Sequence, residues 1–273
     1  MKTFEGQNIY VTGGSSGIGL SAAKLLAGLG ANVLIFARTE ERLEQALKEI
    51  EGQHKSDEQR FSSMQLDVSE HQEVNRVMSL AVESFGMPTL LINAAGKAHP
   101  RHFEDIPYEQ FDEIMKTNFY GVWNTVKALV PHMKKTGGHI VNIASMAGFL
   151  GVFGYADYAA SKFAMIGFSE TIRSELKRYG IRVSVLCPPD TDTPGFELEN
   201  RTKPEETKAI SGTVKLMDPD EVARALIRGV RKGRFMIFAN AEGRLIHLLK
   251  RLAPSLLDWI IERDIKKVQA GKK

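Results

Sequence analysis

The chain has 273 residues and a net charge of +3, and its hydrophobic and charged fractions of 43% and 25% are ordinary for a globular protein. So small a net charge argues against a nucleic-acid-binding protein, and no run reaches the roughly 18 apolar residues of a membrane-spanning helix. The single cysteine, Cys187, excludes an intrachain disulfide, and the N-terminus has no apolar signal core. We therefore expect a cytoplasmic protein that is long enough for one α/β domain and binds no nucleic acid.

Short apolar segments alternate with longer amphipathic segments along most of the chain. The predicted strands are Asn8–Val11, Asn32–Ala37, Phe61–Asp67, Thr89–Asn93, Gly138–Ala144 and Arg182–Cys187. The first predicted helix ends near Leu29. Three others span Glu40–Glu51, Glu70–Phe85 and Pro107–Lys134, and a fifth runs from the segment around Tyr158 to about Tyr179. Apolar strands separated by helices indicate a doubly wound parallel sheet, which binds ligands at the carboxyl ends of its strands.

A glycine-rich turn, Thr12–Gly19 (TGGSSGIG), joins the first strand to the first helix. Glycines there permit a tight turn and a close approach of backbone to ligand, while the helix N-terminus offers N–H groups to a pyrophosphate. The alternative is an ordinary glycine-rich turn with no ligand. The predicted cofactor contacts in this turn are Gly13, Ser15, Ser16, Gly17, Ile18 and Gly19.

The end of the second strand indicates which dinucleotide would bind. The sequence Phe36-Ala37-Arg38 has no carboxylate to accept a hydrogen bond from the ribose 2′-OH of NAD. The guanidinium of Arg38, with Arg42 one turn later, suits the 2′-phosphate of NADP, although an exposed arginine is often only solvated. We therefore predict NADPH/NADP as the cofactor.

Two further strand ends supply predicted cofactor contacts. Asp67 ends the third strand, where it is placed to meet the adenine, and Val68 follows it. Asn93, Ala94 and Gly96 follow the fourth strand, where small residues let the backbone pass close to the cofactor.

Three side chains between positions 145 and 162 could form an acid–base site. Tyr158 and Lys162 are four residues apart and therefore lie on the same face of a helix. A phenol has an ordinary pKa of about 10, and a neighbouring ammonium lowers that pKa towards the operating pH of a general acid or base. Ser145 ends the fifth strand and could hold a substrate oxygen. The alternative is that a Tyr-x-x-x-Lys spacing occurs by chance on a helix.

These motifs, in this order and spacing, resemble the short-chain dehydrogenase/reductase family. The resemblance rests on TGGSSGIG at 12–19, NAAG at 93–96, Asn118, Ser145 and Tyr158-x-x-x-Lys162. It implies a seven-stranded Rossmann sheet with a last strand at Arg234–Phe238. It implies that Tyr158 is the acid/base, and that Lys162 binds ribose hydroxyls and lowers the Tyr158 pKa. It also implies that Ser145 holds the substrate carbonyl and that Asn118 supports a water in the proton relay.

A closer resemblance begins after Cys187. The run PPDTDTPGF at 188–196, ENRTKPEET at 199–207 and GFLGVFGY before Tyr158 are similar to the 3-ketodihydrosphingosine reductases. The resemblance implies NADPH-dependent reduction of a long-chain keto lipid, 3-ketosphinganine, to sphinganine. Pro188 and Thr193 are then cofactor contacts, and Pro189 replaces the glycine that the family usually has there.

Two other functions stay open at this stage. A 3-oxoacyl thioester reductase of fatty acid synthesis would act on a similar β-keto group, but a carrier-protein substrate calls for a basic patch, and the segment near the site is mixed in charge. A non-catalytic NADP-binding scaffold protein is the alternative of another class, against which the intact Asn118, Ser145, Tyr158 and Lys162 argue. His99 and His102 follow the fourth strand without a third ligand, so we assign no metal.

The remaining segments divide the chain into residues 1–240, the Rossmann domain, and 241–273, a C-terminal amphipathic helical extension. Residues 194–217 are polar and are predicted to form a lid over the substrate. Phe149, Leu150, Val152 and Phe153 could line an acyl tunnel or belong to the core. The extension could lie peripherally on the cytoplasmic face of a membrane, or pack on the sheet or a partner subunit. The resemblance implies a homodimer or homotetramer that pairs through the helices at Pro107–Lys134 and around Tyr158.

Overall fold

The computed structural model of the protein describes residues 3–211 and 216–271. Seven strands in this part of the chain form one parallel sheet, in the order β3-β2-β1-β4-β5-β6-β7. The strands are β1 (Asn8–Thr12), β2 (Asn32–Ala37), β3 (Phe61–Gln65), β4 (Leu90–Asn93), β5 (Gly138–Ile143), β6 (Ile181–Cys187) and β7 (Met236–Phe238). The order reverses between β1 and β4, which places the ligand-binding crevice at their carboxyl ends. The predicted doubly wound, seven-stranded fold is confirmed.

Helices cover both faces of this sheet. They are α1 (Gly17–Gly28), α2 (Glu40–Glu51), α3 (His71–Phe85), α4 (Tyr108–Met115), α5 (Gly121–Met133), α6 (Ala156–Leu176), α7 (Pro194–Asn200), α8 (Glu205–Ser211), α9 (Pro219–Arg231), α10 (Ala241–Leu252) and α11 (Pro254–Gly271). Successive side chains of β1 point to opposite faces of the sheet, so Ile9 and Val11 pack in the core on one face and Tyr10 packs in the core on the other. Burial on both faces explains why the strands are continuous apolar runs.

The single helix predicted over Pro107–Lys134 is interrupted. Between α4 and α5 the chain forms a π-helical turn at Lys116–Tyr120, and the fully buried Asn118 lies in it. Gly121 then packs so closely that an added Cβ would lie 2.6 Å from a methyl carbon of Val68. A π turn accommodates an extra residue without changing the apolar periodicity much, and for this reason the pattern did not predict it.

Two strands are two residues shorter than predicted, whereas the ends of the other five differ from the prediction by at most one residue. The third ends at Gln65 because Asp67 belongs to the turn before α3, where its carboxylate accepts hydrogen bonds from the amide and hydroxyl of Ser69. The seventh begins at Met236, since the Arg234 amide donates to Gly229 O and closes the end of α9. These corrections leave the strand order unchanged.

The two C-terminal helices pack against the rest of the protein. The Asn240 side chain caps α10 by accepting a hydrogen bond from the Gly243 amide at 2.9 Å. His247 on α10 lies against the rings of Phe149 and Phe238, at centroid distances of 4.9 and 5.2 Å. Helix α11 contacts α8 and buries Leu257. Of the described residues, none belongs to a helix long and apolar enough to cross a membrane.

Candidate active site

A cleft of about 430 Å³ opens at the carboxyl ends of β1, β4, β5 and β6. The glycine-rich turn forms one side, and α7, α10 and α11 close the other. The predicted site residues in its wall are Gly13, Ser16, Gly17, Ile18, Gly19, Ala94, Gly96, Ser145, Tyr158, Lys162, Pro188 and Thr193. The structure therefore brings together the two halves of the predicted site, which are far apart in sequence.

The glycine-rich turn has the shape of a phosphate cradle. Gly13 has a φ of +66°, and a Cβ at this residue would lie 2.6 Å from the Ala95 amide nitrogen, so only glycine fits. Gly17, also at positive φ, begins α1, where a Cβ would lie 3.0 Å from the Thr193 methyl group. Ser16 is the N-cap of α1, but its side chain makes no capping hydrogen bond. The free first-turn amides and the Ser16 hydroxyl fit the pyrophosphate of a dinucleotide.

Arg38 and Asp67 come together next to β2, outside the cleft wall. The exposed Arg38 guanidinium lies 4.0 Å from an Asp67 carboxylate oxygen. Arg42 is exposed on α2, Ser15 is partly exposed in the glycine-rich turn, and Val68 is buried. Arg38 is therefore accessible to a phosphate group without breaking a close ion pair.

The Asn93 side chain has a structural role. Its amide nitrogen donates to Asn142 Oδ1 at 2.8 Å, and its oxygen accepts from the Thr125 hydroxyl at 2.8 Å. These groups are buried and satisfy one another, which stabilises the ends of β4 and β5. The small residues that follow, Ala94 and Gly96, are the ones that line the cleft.

The predicted acid–base residues meet in the cleft wall. Ser145 follows β5 in an extended conformation, and its hydroxyl accepts a hydrogen bond from the Ala147 amide at 3.1 Å. The Lys162 Nζ atom lies 5.4 Å from the centre of the Tyr158 ring and donates to Ile143 O at 2.8 Å. The end of β5 and the first turns of α6 thus position all three side chains.

The direction of the Tyr158 pKa shift is opposite to the prediction from the sequence. Burial raises the pKa of the Tyr158 phenol, the negative charge of Glu199 adds to that effect, and a hydrogen bond with Ser145 works against it. The Lys162 ammonium donates its hydrogen bond to Ile143 O, and burial lowers the pKa of Lys162 itself to about 8. Tyr158 is therefore protonated at neutral pH, as a proton donor must be.

Asn118 lies behind the cleft wall. Its amide nitrogen donates to Lys97 O at 2.9 Å and to the Ser161 hydroxyl at 3.1 Å, and its oxygen accepts from the Lys97 amide at 2.9 Å. The Ser161 hydroxyl in turn donates to Tyr158 O. Asn118 thus connects the segment after β4 to the helical turn that carries Tyr158, and its predicted part in a proton relay stays a prediction.

A group of charged residues beside Tyr158 has no counterpart in the sequence prediction. Tyr155 donates a hydrogen bond from its hydroxyl to Glu199 Oε2 at 2.9 Å, and both residues line the cleft. Lys203 is almost fully buried, with its ammonium 3.7 Å from Asp190 Oδ2 and 3.9 Å from the centre of the Phe196 ring. The polar composition of this segment indicated only a solvated loop or a lid, because burial is not visible in composition.

The other end of the cleft is apolar. Leu150 and Val152 line it, as predicted for an acyl tunnel, whereas Phe149 and Phe153 instead pack against Phe238 and His102. The C-terminal helices contribute the remaining apolar side chains, Ile246, Leu257, Ile260 and Ile261. In residues 3–211 and 216–271, there is no group of three or more His, Cys, Asp or Glu side chains arranged to hold a metal ion.

Comparisons with known proteins agree with this geometry. The family model described as short chain dehydrogenase matches residues 7–204. The 3-ketodihydrosphingosine reductase of Bos taurus is 39% identical over 246 residues, which cover 89% of this chain and 74% of that protein. The protein of the same name from Dictyostelium discoideum is 37% identical over 260 residues, which cover 90% and 78% of the two chains.

Solved structures show the same fold. Levodione reductase superimposes with a TM-score of 0.76 at 25% identity, covering 84% of this chain and 91% of that one. The apo form of LigD from Sphingobium sp. strain SYK-6 also has a TM-score of 0.76, at 29% identity, covering 93% and 97% of the two chains. The chain therefore belongs to the short-chain dehydrogenase family, whose oxidoreductases use a nicotinamide cofactor.

Proposed function

We propose that the protein reduces 3-ketosphinganine to sphinganine with NADPH. The observation that carries this proposal is the similarity, over about nine-tenths of the chain, to the 3-ketodihydrosphingosine reductases described above. The cleft supports it, because one end holds an acid–base site and the other is apolar enough for a long alkyl chain.

The residues of the cleft have distinct parts in this reduction. A nicotinamide cofactor, which Gly13, Ser16 and Gly17 of the glycine-rich turn would hold, would supply the hydride for the carbonyl carbon. The Ser145 hydroxyl donates a hydrogen bond to the ketone oxygen, and the protonated Tyr158 transfers its phenolic proton to that oxygen as negative charge develops on it. The Lys162 ammonium binds ribose hydroxyls and stabilises the phenolate that remains. Closure of the cleft by α7 and α11 excludes water from the reacting atoms.

The preference for NADPH rests on Arg38. The guanidinium is exposed directly after β2, where a residue that reads the ribose 2′ position is expected, and this strand end has no carboxylate. An arginine binds a 2′-phosphate through two parallel, charge-assisted hydrogen bonds, whereas its interaction with an uncharged 2′-hydroxyl is weaker. Arg42, one turn later on α2, adds positive charge.

The C-terminal helices are proposed to contact the cytoplasmic face of a membrane. Their inner face lines the apolar end of the cleft, and their outer face exposes Leu245, Leu248, Leu252, Leu256 and Trp259. Basic side chains such as Arg244, Lys250 and Lys266 are interleaved with this outer face and suit anionic headgroups. A protein at the bilayer surface could take up a lipid ketone without releasing it into water.

The chain is also proposed to form a homodimer or homotetramer. The segment from α4 to α6 exposes the aromatic side chains of Phe111, Tyr120, Trp123 and Phe163, and exposed apolar surface of this kind is a common feature of subunit interfaces. Pairing of two such surfaces in a closed symmetric interface would remove them from water.

We propose the domain limits that the sequence indicates. Residues 1–240 form the Rossmann domain, with 194–217 as a lid, and 241–273 form the helical extension. Helices α7 and α8 form the described part of the lid and line the cleft through Phe196, Glu199 and Ile210. Residues 212–215 of the proposed lid, and the last two residues of the extension, lie outside the described residues.

The decisive experiment measures NADPH consumption with 3-ketosphinganine and with an acetoacetyl thioester as alternative substrates. We expect a higher kcat/KM with the sphingoid ketone and formation of sphinganine, identified by mass spectrometry. Preference for the thioester would favour a 3-oxoacyl reductase instead. Binding of NADPH without turnover of any ketone would favour the scaffold function.

A further inference from the structure

The wall of the cleft that faces Tyr158 carries a carboxylate with an unusual environment. Glu199, on the lid helix α7, lines the cleft and accepts a hydrogen bond from the Tyr155 hydroxyl at 2.9 Å. The Tyr155 and Tyr158 rings are 5.5 Å apart, so this hydrogen bond places Glu199 beside the proton donor. The influence of the Glu199 charge on the pKa of both Tyr158 and Lys162 agrees with that placement.

Glu199 forms no ion pair among the residues that the structure describes. No lysine, arginine or histidine nitrogen in residues 3–211 and 216–271 lies within 4.0 Å of its carboxylate, whereas Asp190, another carboxylate of the cleft wall, is paired with Lys203 at 3.7 Å. A partly buried carboxylate without an ion-pair partner is costly, and burial raises the pKa of Glu199 against the opposing effects of the Tyr155 hydrogen bond and the charges of Lys203 and Lys162.

The chemistry of the proposed substrate supplies the missing cation. A 3-keto sphingoid base carries an ammonium group on the carbon next to its carbonyl, and a 3-oxoacyl thioester has no such group. With the ketone oxygen hydrogen-bonded to Tyr158, covalent geometry places the ammonium nitrogen about 3–5 Å from the phenol oxygen. Glu199 lines the same cleft and is hydrogen-bonded to Tyr155, whose ring lies 5.5 Å from that of Tyr158.

We propose that Glu199 binds the substrate ammonium and thereby selects 2-amino-3-ketones over 3-oxo compounds that lack the amine. This inference rests on the proposed function, of which it names the specificity determinant. Tyr155 positions the carboxylate through its hydroxyl, and Lys203 forms its ion pair with Asp190 and leaves the Glu199 carboxylate without one. The ion pair formed in this desolvated site offsets the cost of burying both charges.

The test measures the ratio of kcat/KM for 3-ketosphinganine to that for the matching 1-hydroxy-3-ketone without the amine. Glu199→Gln keeps an acceptor for Tyr155 and removes the charge, and we expect it to lower this ratio about tenfold to a hundredfold. Glu199→Asp, which retains the charge, should restore part of the ratio. Glu197→Gln is the matched control, because Glu197 is exposed on the same helix and should leave the ratio unchanged.

Equilibrium binding gives a second readout that does not depend on turnover. The protein with NADP is titrated with sphinganine and with the matching 1,3-diol, and the wild type should bind the amine more tightly while Glu199→Gln should not. If the ratio and the binding preference are the same in wild type and Glu199→Gln, the ammonium site is wrong even when 3-ketosphinganine is reduced. If 3-ketosphinganine is not reduced but the binding preference exists and requires Glu199, the ammonium site stands and the proposed function fails.

Discussion

The buried lysine of the active site makes a quantitative prediction about stability. Lys162 has its pKa lowered by burial to about 8, from an ordinary value of 10.5, so between these values the unfolded chain binds more protons than the native protein does. Stability therefore rises with pH in this range, since a charged lysine is costly to bury and the neutral form is not. Integrating the proton difference between pH 7 and pH 9 gives an added unfolding free energy on the order of 1 kcal/mol.

Lys162→Met removes the titrating group and nearly preserves the length of the side chain. We expect the increase of about 1 kcal/mol between pH 7 and pH 9 to disappear in the variant. Loss of the hydrogen bond to Ile143 O lowers the free energy of unfolding by the same amount at every pH. This contribution therefore cancels when the values at two pH values are subtracted. Lys48→Met, on the exposed side of α2, is the control and should keep the wild-type pH dependence.

Urea unfolding at pH 7, 8 and 9, without added nucleotide and followed by tryptophan fluorescence, measures this difference. At each pH the free energy of unfolding of Lys162→Met is subtracted from that of the wild type, and the change of this stability gap with pH is the quantity of interest. A gap that stays constant from pH 7 to pH 9 would show that Lys162 does not titrate in this range. A gap that changes in the opposite direction would show that the native site stabilises the ammonium, and would refute the argument from burial.

Three further variants test the site and the C-terminal helices. Tyr158→Phe should lower kcat by about 10²-fold or more while NADPH binding, measured by fluorescence, persists; near-normal turnover would remove the phenol from its role. Arg38→Asp should lower the kcat/KM for NADPH more than that for NADH, and an unchanged ratio would place recognition of the 2′-phosphate elsewhere. The pair Leu252→Ser and Trp259→Ser should abolish co-sedimentation with anionic vesicles at low salt without lowering turnover of a short soluble ketone. If the wild type itself stays in the supernatant, the membrane contact is wrong.

Local patterns in the sequence were sufficient for the architecture and the centre of the site. Apolar runs separated by amphipathic segments predict the alternation of strands and helices, because each element repeats its contacts at a short, regular spacing. The glycines of the turn after β1 and the spacing of Tyr158 and Lys162 depend likewise on geometry within one turn or one helix. These features were therefore readable before any long-range contact was known.

Only the tertiary structure decided what surrounds these groups. The pKa of Tyr158 is raised because buried segments enclose it and Glu199, which is 41 positions later in the chain, lies beside it. The sequence left open whether the C-terminal helices contact a membrane or pack on the sheet or a partner subunit, and the structure shows that their inner face lines the cleft through Ile246 and Ile260. The burial of a group and the electrostatic potential at it depend on segments that are distant in sequence. The spacing of residues within one helix or turn therefore does not predict them.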